Sequence, residues 1–169
     1  MISAPLGIFL ASLPPDTHLL WTDEGRVTAR ELVDRAGGLR ELWREAHGKR
    51  VALVGLSPVQ LVEALVALDG TAEAMVLLPE GLDDAKRGFL IENAKCEAAV
   101  GRDFSCLVFP ADGLRQRTVP PATEWVLATS GTTGMPKLIC HTLATLSHTV
   151  KRSPERGPEF RWGLMYDPC

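Results

Sequence analysis

The residues whose types and spacing could do chemistry lie in one stretch, residues 129–137, which reads Thr-Ser-Gly-Thr-Thr-Gly-Met-Pro-Lys. Its glycines, Gly131 and Gly134, allow backbone conformations that other residues rarely adopt, and they let main-chain N–H groups approach an anion closely. Its four hydroxyl side chains can donate hydrogen bonds to phosphate oxygens, and Lys137 adds a positive charge directly after Pro136. This composition predicts a loop that binds a polyphosphate.

A simple turn and a different kind of phosphate loop are the alternatives for residues 129–137. A hairpin turn would accommodate the same glycines with solvated hydroxyl groups, but a turn does not require Lys137 after Pro136. A Walker loop is excluded, because the spacing Gly-x-x-x-x-Gly-Lys-Ser/Thr does not occur. An unrelated phosphate-binding sheet protein that carries a similar loop stays open as an alternative.

Short apolar segments alternate with helical patterns ahead of this loop. The predicted strands cover residues 51–56, 75–78 and 98–100. The predicted helices cover residues 59–68 and 84–94. Another helix is predicted to begin at Thr28, because Thr28 and Glu31 can form a capping box ahead of apolar residues at helical spacing. Strands separated by helices favour right-handed crossovers, so the sequence predicts an α/β fold with a largely parallel sheet flanked by helices.

The loop itself lies between two further predicted strands, residues 125–128 and 138–140. A helix over 142–151 and a last strand over 161–166 are predicted to follow. The chain is thus predicted to divide into helix and strand–helix units over 1–108, a loop over 109–123, a phosphate-loop hairpin with the following helix over 124–152, and a final strand within 160–169.

Composition and charge exclude several classes of protein. With 46% hydrophobic and 23% charged residues, the 169-residue chain can bury one core and is predicted to be globular. Its net charge of -3 comes without a basic stripe, so nucleic acid is not an expected partner. Its apolar segments are shorter than the roughly 20 residues that cross a bilayer as a helix, so a membrane is not expected as a partner either.

The cysteines and the N-terminal segment indicate a reducing compartment. The four cysteines occur singly, without C-x-x-C pairs or zinc-ligand spacing, so we expect reduced thiols and no metal site. Residues 1–13 have an apolar middle but no Lys or Arg ahead of it, which a secretory signal requires. We therefore expect a first packed segment and a cytoplasmic protein.

The string TSGTTGMPK, residues 129–137, resembles the signature loop of the adenylate-forming (AMP-binding) superfamily. That superfamily comprises acyl- and aryl-CoA synthetases, peptide-synthetase adenylation domains and luciferases. Residues 28–42 and 51–78 are similar in order and spacing to the family's opening helix and its first strand–helix–strand unit. Tyr166 and Asp167 resemble the aromatic-Asp element that starts the family's acyl-pocket helix. The resemblance implies the N-terminal portion of such an enzyme.

The resemblance implies a two-step reaction, in which a carboxylate attacks the α-phosphorus of Mg-ATP and a thiol or amine then takes the acyl group. The implied triphosphate contacts are Thr129, Ser130, Gly131, Thr132, Thr133, Gly134 and Lys137. ATP and Mg²⁺ are the implied cofactors, and coenzyme A or a carrier-protein thiol is the implied acceptor of the full enzyme. The implied substrate is a carboxylic acid, whose identity (fatty, aromatic or amino acid) the sequence leaves open.

His141 and Asp167 are candidates for substrate contact. His141 could line a pocket, although a histidine at the end of a strand is more often a core-edge residue. Asp167 could orient the substrate, although an Asp before a Pro is more often a turn or helix-start residue. No catalytic residue is expected in this segment.

Some residues depart from the family pattern. Leu138 stands where many relatives have Gly, His141 precedes Thr142 instead of following it, and Ala128 occupies a place that is often aromatic. These changes leave the subfamily open. Family enzymes are roughly three times as long, so we expect an N-terminal fragment that is inactive alone and is completed by the remainder of the ligase or a complementing chain. The alternative is a non-catalytic module that binds a partner chain or a nucleotide.

Overall fold

The computed structural model of the chain describes residues 4–22, 25–110, 122–129 and 136–148. The helices of this part are α1 (Leu6–Ala11), α2 (Ala29–Leu42), α3 (Pro58–Leu68), α4 (Asp84–Asn93) and α5 (Leu143–Ser147). The strands of this part are β1 (His18–Thr22), β2 (Gly25–Thr28), β3 (Arg50–Leu53), β4 (Ala74–Leu77), β5 (Ala98–Val100), β6 (Cys106–Val108), β7 (Glu124–Thr129) and β8 (Lys137–Thr142).

A six-stranded sheet in the order β6-β5-β3-β4-β7-β8 forms the centre of the fold. Its four inner strands are parallel, since β3 pairs with β5 and β4, and β4 pairs with β7. Its two edge strands, β6 and β8, are antiparallel to their neighbours. Strands β1 and β2 form a separate antiparallel hairpin. The predicted α/β class with a largely parallel, helix-flanked sheet is confirmed.

Both faces of the central strands β3 and β4 are buried, as their apolar sequences predict. Alternate residues of each inner strand point to opposite faces, so Val51 and Met75 join one core while Ala52 and Val76 join the other. Helices α1, α2 and α3 contribute to the first core and α4 to the second. Fully buried Trp43 lies in the first core and donates its indole N–H to the carbonyl oxygen of Phe104, at 2.8 Å.

The predicted start of α2 is confirmed. The Thr28 hydroxyl accepts from the N–H of Glu31 at 3.3 Å, and the Glu31 carboxylate accepts from the N–H of Thr28 at 2.8 Å. This capping box satisfies two of the backbone donors that a helix leaves free at its N-terminus. The helix ends at Leu42. A short 3-10 turn, Arg44–Ala46, follows it and continues the line of apolar residues that the sequence predicts after Thr28.

The structure differs from the sequence prediction at several elements. Strand β3 ends at Leu53 rather than at residue 56, because the chain turns at Gly55, whose φ of 62° favours glycine. The sequence pattern does not predict helix α1, the β1–β2 hairpin or β6, because each is too short or too irregular to show a period. Residues 111–121, 149–152 and 160–169 of the predicted loop, helix and final strand lie outside the described residues.

Within the described ranges, none of the helices is both long enough and apolar enough to cross a membrane.

Candidate functional site

The predicted phosphate loop is positioned by the hairpin of β7 and β8. Strand β7 runs parallel to β4, so it ends at the same edge of the sheet as the carboxyl ends of β3, β4 and β5. Open α/β sheets bind ligands in the crevice outside the carboxyl ends of their strands. Strand β7 ends at Thr129 and β8 begins at Lys137, so the two strands deliver the predicted loop to that edge.

Thr129 and Lys137 are brought together at the mouth of the hairpin. They are direct partners in the β7–β8 register, and the Thr129 hydroxyl donates to the Lys137 carbonyl oxygen at 3.2 Å. Both residues are exposed. Two of the residues predicted to contact phosphate are therefore cross-strand neighbours in an exposed position.

The remaining predicted contacts divide into two groups. The residues that lie outside the described part of the chain are Ser130, Gly131, Thr132, Thr133, Gly134 and Asp167. His141 is described, and it lies opposite Trp125 at the other end of the hairpin. It is four residues from Lys137, which corresponds to roughly 13 Å along an antiparallel strand. The structure does not bring His141 together with Lys137, and the role of His141 in substrate contact stays a prediction.

A hydrogen-bond network that the sequence did not predict joins the loops at the carboxyl edge. Arg102, in the loop after β5, donates from Nε to the Gly55 carbonyl oxygen after β3, at 2.9 Å. Its Nη2 donates to the Glu80 carboxylate after β4, at 2.7 Å. Gln60 Nε2 donates a hydrogen bond to the Arg102 carbonyl oxygen at 2.8 Å. The loops after three parallel strands are thereby tied to one another beside the hairpin that carries the predicted phosphate loop.

Two carboxylates near this edge are held in their ionised form by local hydrogen bonds. The backbone N–H and the ammonium group of Lys86 lower the pKa of Asp83, which caps α4. The hydroxyl and the backbone N–H of Ser105 lower the pKa of Asp103 in the loop after β5. Asp83 therefore stabilises the start of α4, and Asp103 stabilises the loop after β5.

The opposite end of β7 is anchored by partly buried polar contacts. Arg50 Nη1 donates to Glu73 at 3.2 Å and to Glu124 at 3.0 Å, while Arg50 Nε donates to the Ala94 carbonyl oxygen at 2.7 Å. Burial disfavours the guanidinium charge, but the hydrogen bonds to Glu124 and Glu73 outweigh that effect and raise the pKa of Arg50. This network joins the amino ends of β3, β4 and β7.

A second anchor connects the start of β7 to the turn after α3. The Thr123 hydroxyl accepts from the Gly70 N–H at 2.8 Å and donates to the Ala72 carbonyl oxygen at 2.9 Å. The Asp69 carboxylate accepts from the Trp125 indole N–H at 3.3 Å and from the Leu6 N–H at 2.7 Å. Burial raises the pKa of Asp69, although the hydrogen bond from Leu6 and the one from Trp125 act in the opposite direction.

The thiols differ in their surroundings, and none of them belongs to a metal-binding group in the described part of the chain. Burial raises the pKa of Cys96 to about 11, whereas Cys140 on β8 is exposed. Burial also raises the pKa of Cys106. Among residues 4–22, 25–110, 122–129 and 136–148, no three His, Cys, Asp or Glu side chains are grouped so that they could hold a metal ion. The described hydroxyl and ammonium groups at the loop fit an anion, so a metal ion there would arrive with a bound polyphosphate.

The fold is similar to those of several solved enzymes. One is o-succinylbenzoate CoA synthetase from Bacillus subtilis in complex with the acyl-adenylate intermediate OSB-AMP, with a TM-score of 0.66 and 21% identity. Another is the N-terminal subdomain of Klebsiella oxytoca NpsA in complex with 3-hydroxyanthranilyl-AMSN, with a TM-score of 0.60 and 21% identity. A third is PA1221, a peptide-synthetase protein that contains adenylation and PCP domains, with a TM-score of 0.60 and 20% identity.

These likenesses cover most of this chain but less than half of each neighbour. The shares of this chain are 83%, 79% and 80%, and the corresponding shares of the neighbours are 43%, 38% and 27%. No protein-family model and no curated protein matches the chain. At these identities the comparisons establish a common fold, and that fold corresponds to one part of the larger proteins.

Proposed function

We propose that this chain, which has the fold of the N-terminal subdomain of adenylate-forming enzymes, supplies the triphosphate-binding loop of an ATP-dependent carboxylic acid ligase. The observation that carries the proposal is the pairing of Thr129 with Lys137 at the carboxyl end of β7. The two residues begin and end a sequence of glycines and hydroxyl side chains suited to phosphate oxygens.

The proposed role of the loop is electrostatic. Lys137 contributes a charge-assisted hydrogen bond to a phosphate oxygen, and Thr129, Ser130, Thr132 and Thr133 contribute hydroxyl donors. Gly131 and Gly134 allow backbone N–H groups to approach the β- and γ-phosphates. These groups would stabilise the charge that develops on pyrophosphate as a carboxylate attacks the α-phosphorus. Mg²⁺ would bind with ATP and neutralise part of the same charge.

The neighbours support the proposed substrate and acceptor classes. The synthetase from Bacillus subtilis is described in complex with an acyl-adenylate and, in another structure, with the product analogue OSB-NCoA. PA1221 carries a PCP domain together with its adenylation domain. We therefore propose a carboxylic acid substrate activated as its adenylate, and coenzyme A or a carrier-protein thiol as the acceptor. We place this reaction in the cytoplasm.

The proposed function belongs to a larger assembly. The chain spans 33% and 43% of the two synthetase chains, so much of the structure of those proteins has no counterpart in it. We propose that the 169-residue chain binds ATP but does not form adenylate alone, and that the remainder of a ligase or a complementing chain supplies the other groups. Carboxylate-dependent ATP–pyrophosphate exchange by the purified chain would refute this part of the proposal.

The binding of ATP is tested with a pair of lysine variants. Lys137→Ala removes the proposed phosphate contact, whereas Lys49→Ala removes a lysine that directly precedes β3 at the opposite end of the sheet. Losing one charge-assisted hydrogen bond costs about 1.5–3 kcal/mol, so Lys137→Ala should bind Mg-ATP about 10- to 100-fold more weakly in isothermal titration calorimetry. Lys49→Ala should bind like the wild type. Equal affinities for the two variants would remove Lys137 from the site.

A further inference from the structure

A cavity of about 250 Å³ lies between helices α1, α2 and α3. Its apolar walls come from these helices and from the residue ahead of α1, and they are formed by Pro5, Ile8, Ala11, Val33, Ala36 and Val66. The cavity opens to solvent beside Ile8, which is 64% exposed. A closed apolar cavity of about 150 Å³ holds a benzene molecule, so this one has room for a branched or aromatic side chain.

Two oppositely charged residues, Arg40 and Asp69, line the same cavity. Arg40 donates from Nε and Nη2 to carbonyl oxygens near the end of α3, at 3.0 and 3.2 Å, which leaves its Nη1 without a partner among the described residues. The Asp69 carboxylate accepts from the Leu6 N–H and from the Trp125 indole N–H. Within the described part of the chain, Arg40 and Asp69 form no ion pair with each other. The cavity therefore combines apolar walls with one cation and one anion.

The charge of Asp69 is not fully compensated by its neighbours. Asp69 is 4% exposed, and burial raises the pKa of its carboxyl group. The hydrogen bonds from Leu6 and Trp125 and the charge of Arg40 act in the opposite direction without offsetting that effect. Arg50 differs, because its partners outweigh the cost of burial. A positive group of a ligand beside Asp69 would supply compensation that the chain does not provide.

A neighbouring cavity of about 340 Å³ provides a contrast. It shares Ala11 and Val33 with the first cavity. Its charged residues, Arg30 and Asp34, are exposed, so water already solvates them and a ligand would add little. A buried carboxylate beside an apolar volume therefore distinguishes the cavity between α1, α2 and α3.

We propose that the cavity between α1, α2 and α3 binds a free α-amino acid with an apolar side chain. The ammonium group of the ligand faces Asp69, its carboxylate accepts from Arg40 Nη1, and its side chain fills the apolar volume. Such a ligand is neutral overall and matches one cation and one anion of the protein. The cavity lies beside the turn after α3, which contacts the start of β7, whereas Thr129 and Lys137 lie at the other end of that strand. The proposal is thus independent of the proposed ATP site.

The ligand class is tested with probes that share one carbon skeleton. L-leucine carries both charged groups, 4-methylpentanoate lacks the ammonium group, and 3-methylbutylamine lacks the carboxylate. Titrated into the ¹⁵N-labelled chain, L-leucine should give saturable shifts of the Leu6 amide and Trp125 indole signals, since both groups donate to Asp69. The signals of Thr129 and Lys137 should not change. The other two probes should bind at least about tenfold more weakly, because each loses one charge-assisted hydrogen bond.

Two alanine positions provide matched variants for the place of binding. Ala11→Leu adds methyl groups to the wall of the cavity and should weaken L-leucine binding at least about tenfold, because they overlap the bound side chain. Ala85→Leu makes the same change at an exposed position of α4 and should bind like the wild type. Both substitutions exchange one strong helix former for another, so the fold should be kept. Mg-ATP binding should be the same for both.

Three results would overturn the proposal. One is the absence of saturable shifts with both L-leucine and L-phenylalanine. Another is equal affinity for L-leucine, 4-methylpentanoate and 3-methylbutylamine, which would mean that Asp69 and Arg40 do not select the charged groups. The third is equal L-leucine affinity of Ala11→Leu and Ala85→Leu, which would place the ligand elsewhere.

Discussion

The two ends of β7 differ in how their polar groups are used. At the amino end, Glu124 binds partly buried Arg50, and Thr123 and Trp125 form hydrogen bonds with the turn after α3. At the carboxyl end, Thr129 is exposed, and its hydroxyl donates to the Lys137 carbonyl oxygen across the hairpin. One strand therefore carries stabilising contacts at one end and groups that can bind a ligand at the other.

This difference shows how a parallel sheet can hold the proposed ligand loop in place. The anchors at the amino end fix the register of β7 against β4, and the β7–β8 pairing then fixes the separation of Thr129 and Lys137. Polar groups at the carboxyl end do not have to be satisfied internally, so they are available to an anion. Variants at the amino end should change stability, and variants at the carboxyl end should change binding.

The largest expected effect on stability comes from Arg50. Arg50→Ala leaves Glu73 and Glu124 without their shared cation and the Ala94 carbonyl oxygen without its donor. Removing one partner of a buried ion pair costs about 3–5 kcal/mol, but the two carboxylates are 35% and 45% exposed, so we expect about 2–3 kcal/mol. Urea unfolding measures this loss.

Arg102→Ala is the matched variant at the other end of the sheet. The Arg102 side chain is 70% exposed in its pair with Glu80, so its removal should cost less than about 1 kcal/mol. Equal losses for Arg50→Ala and Arg102→Ala would contradict the difference between the two ends.

A smaller loss is expected for Thr123→Val. The substitution keeps the shape of the buried side chain but removes the acceptor for the partly buried Gly70 N–H and the donor to the buried Ala72 carbonyl oxygen. Leaving buried groups unsatisfied costs about 1–3 kcal/mol, and we expect about 1–2 kcal/mol by thermal or urea unfolding. Thr22→Val in the exposed β1–β2 hairpin serves as control and should stay within about 0.5 kcal/mol of the wild type. Similar losses of stability for Thr123→Val and Thr22→Val would mean that the hydrogen bonds of Thr123 do not anchor the start of β7.

The smallest effect is a pH dependence with a defined sign. Burial raises the pKa of Asp69 above its ordinary 3.8, so the folded chain holds that proton more tightly than the unfolded chain. The stability of the wild type relative to Asp69→Asn should therefore increase as the pH falls through the folded pKa, and should decrease as the pH rises through it. Urea midpoints at several pH values measure the trend.

Glu31 provides the comparison with the opposite sign. The hydrogen bonds from Thr28 lower its pKa below 4.5, so its stabilisation is present above that value and is lost as the pH falls through the folded pKa. The stability of the wild type relative to Glu31→Gln should therefore decrease as the pH falls. Parallel trends for Asp69→Asn and Glu31→Gln would show that the Asp69 carboxylate is not buried as described.

The parts of the fold that could be predicted are those specified by neighbouring residues. Thr28 and Glu31 of the capping box are three positions apart, and the strands β3 and β4 are short apolar runs. The anchors of β7 could not be predicted in the same way. Arg50 and Glu124 are 74 residues apart, and Asp69 and Leu6 are 63 apart, so only the folded sheet brings them together.

The candidate site likewise contains residues that are close in sequence and residues that only the fold brings together. The proposed phosphate loop could be predicted because its hydroxyl groups, glycines and lysine lie within nine consecutive residues. The network of Arg102 with Glu80 and Gly55 is not recognisable, because its members follow three different strands. His141 is close to Lys137 in sequence, yet the extended strand separates them, which the sequence spacing alone did not show.

The central claim is that triphosphate binds at the carboxyl end of β7. Titration of the ¹⁵N-labelled chain with Mg-ATP tests it through the amide signals of two cross-strand pairs, Thr129 with Lys137 and Glu124 with Thr142. We expect saturable shifts for Thr129 and Lys137 and unchanged signals for Glu124 and Thr142. No shift at saturating Mg-ATP, or shifts of equal size in both pairs, would contradict the claim.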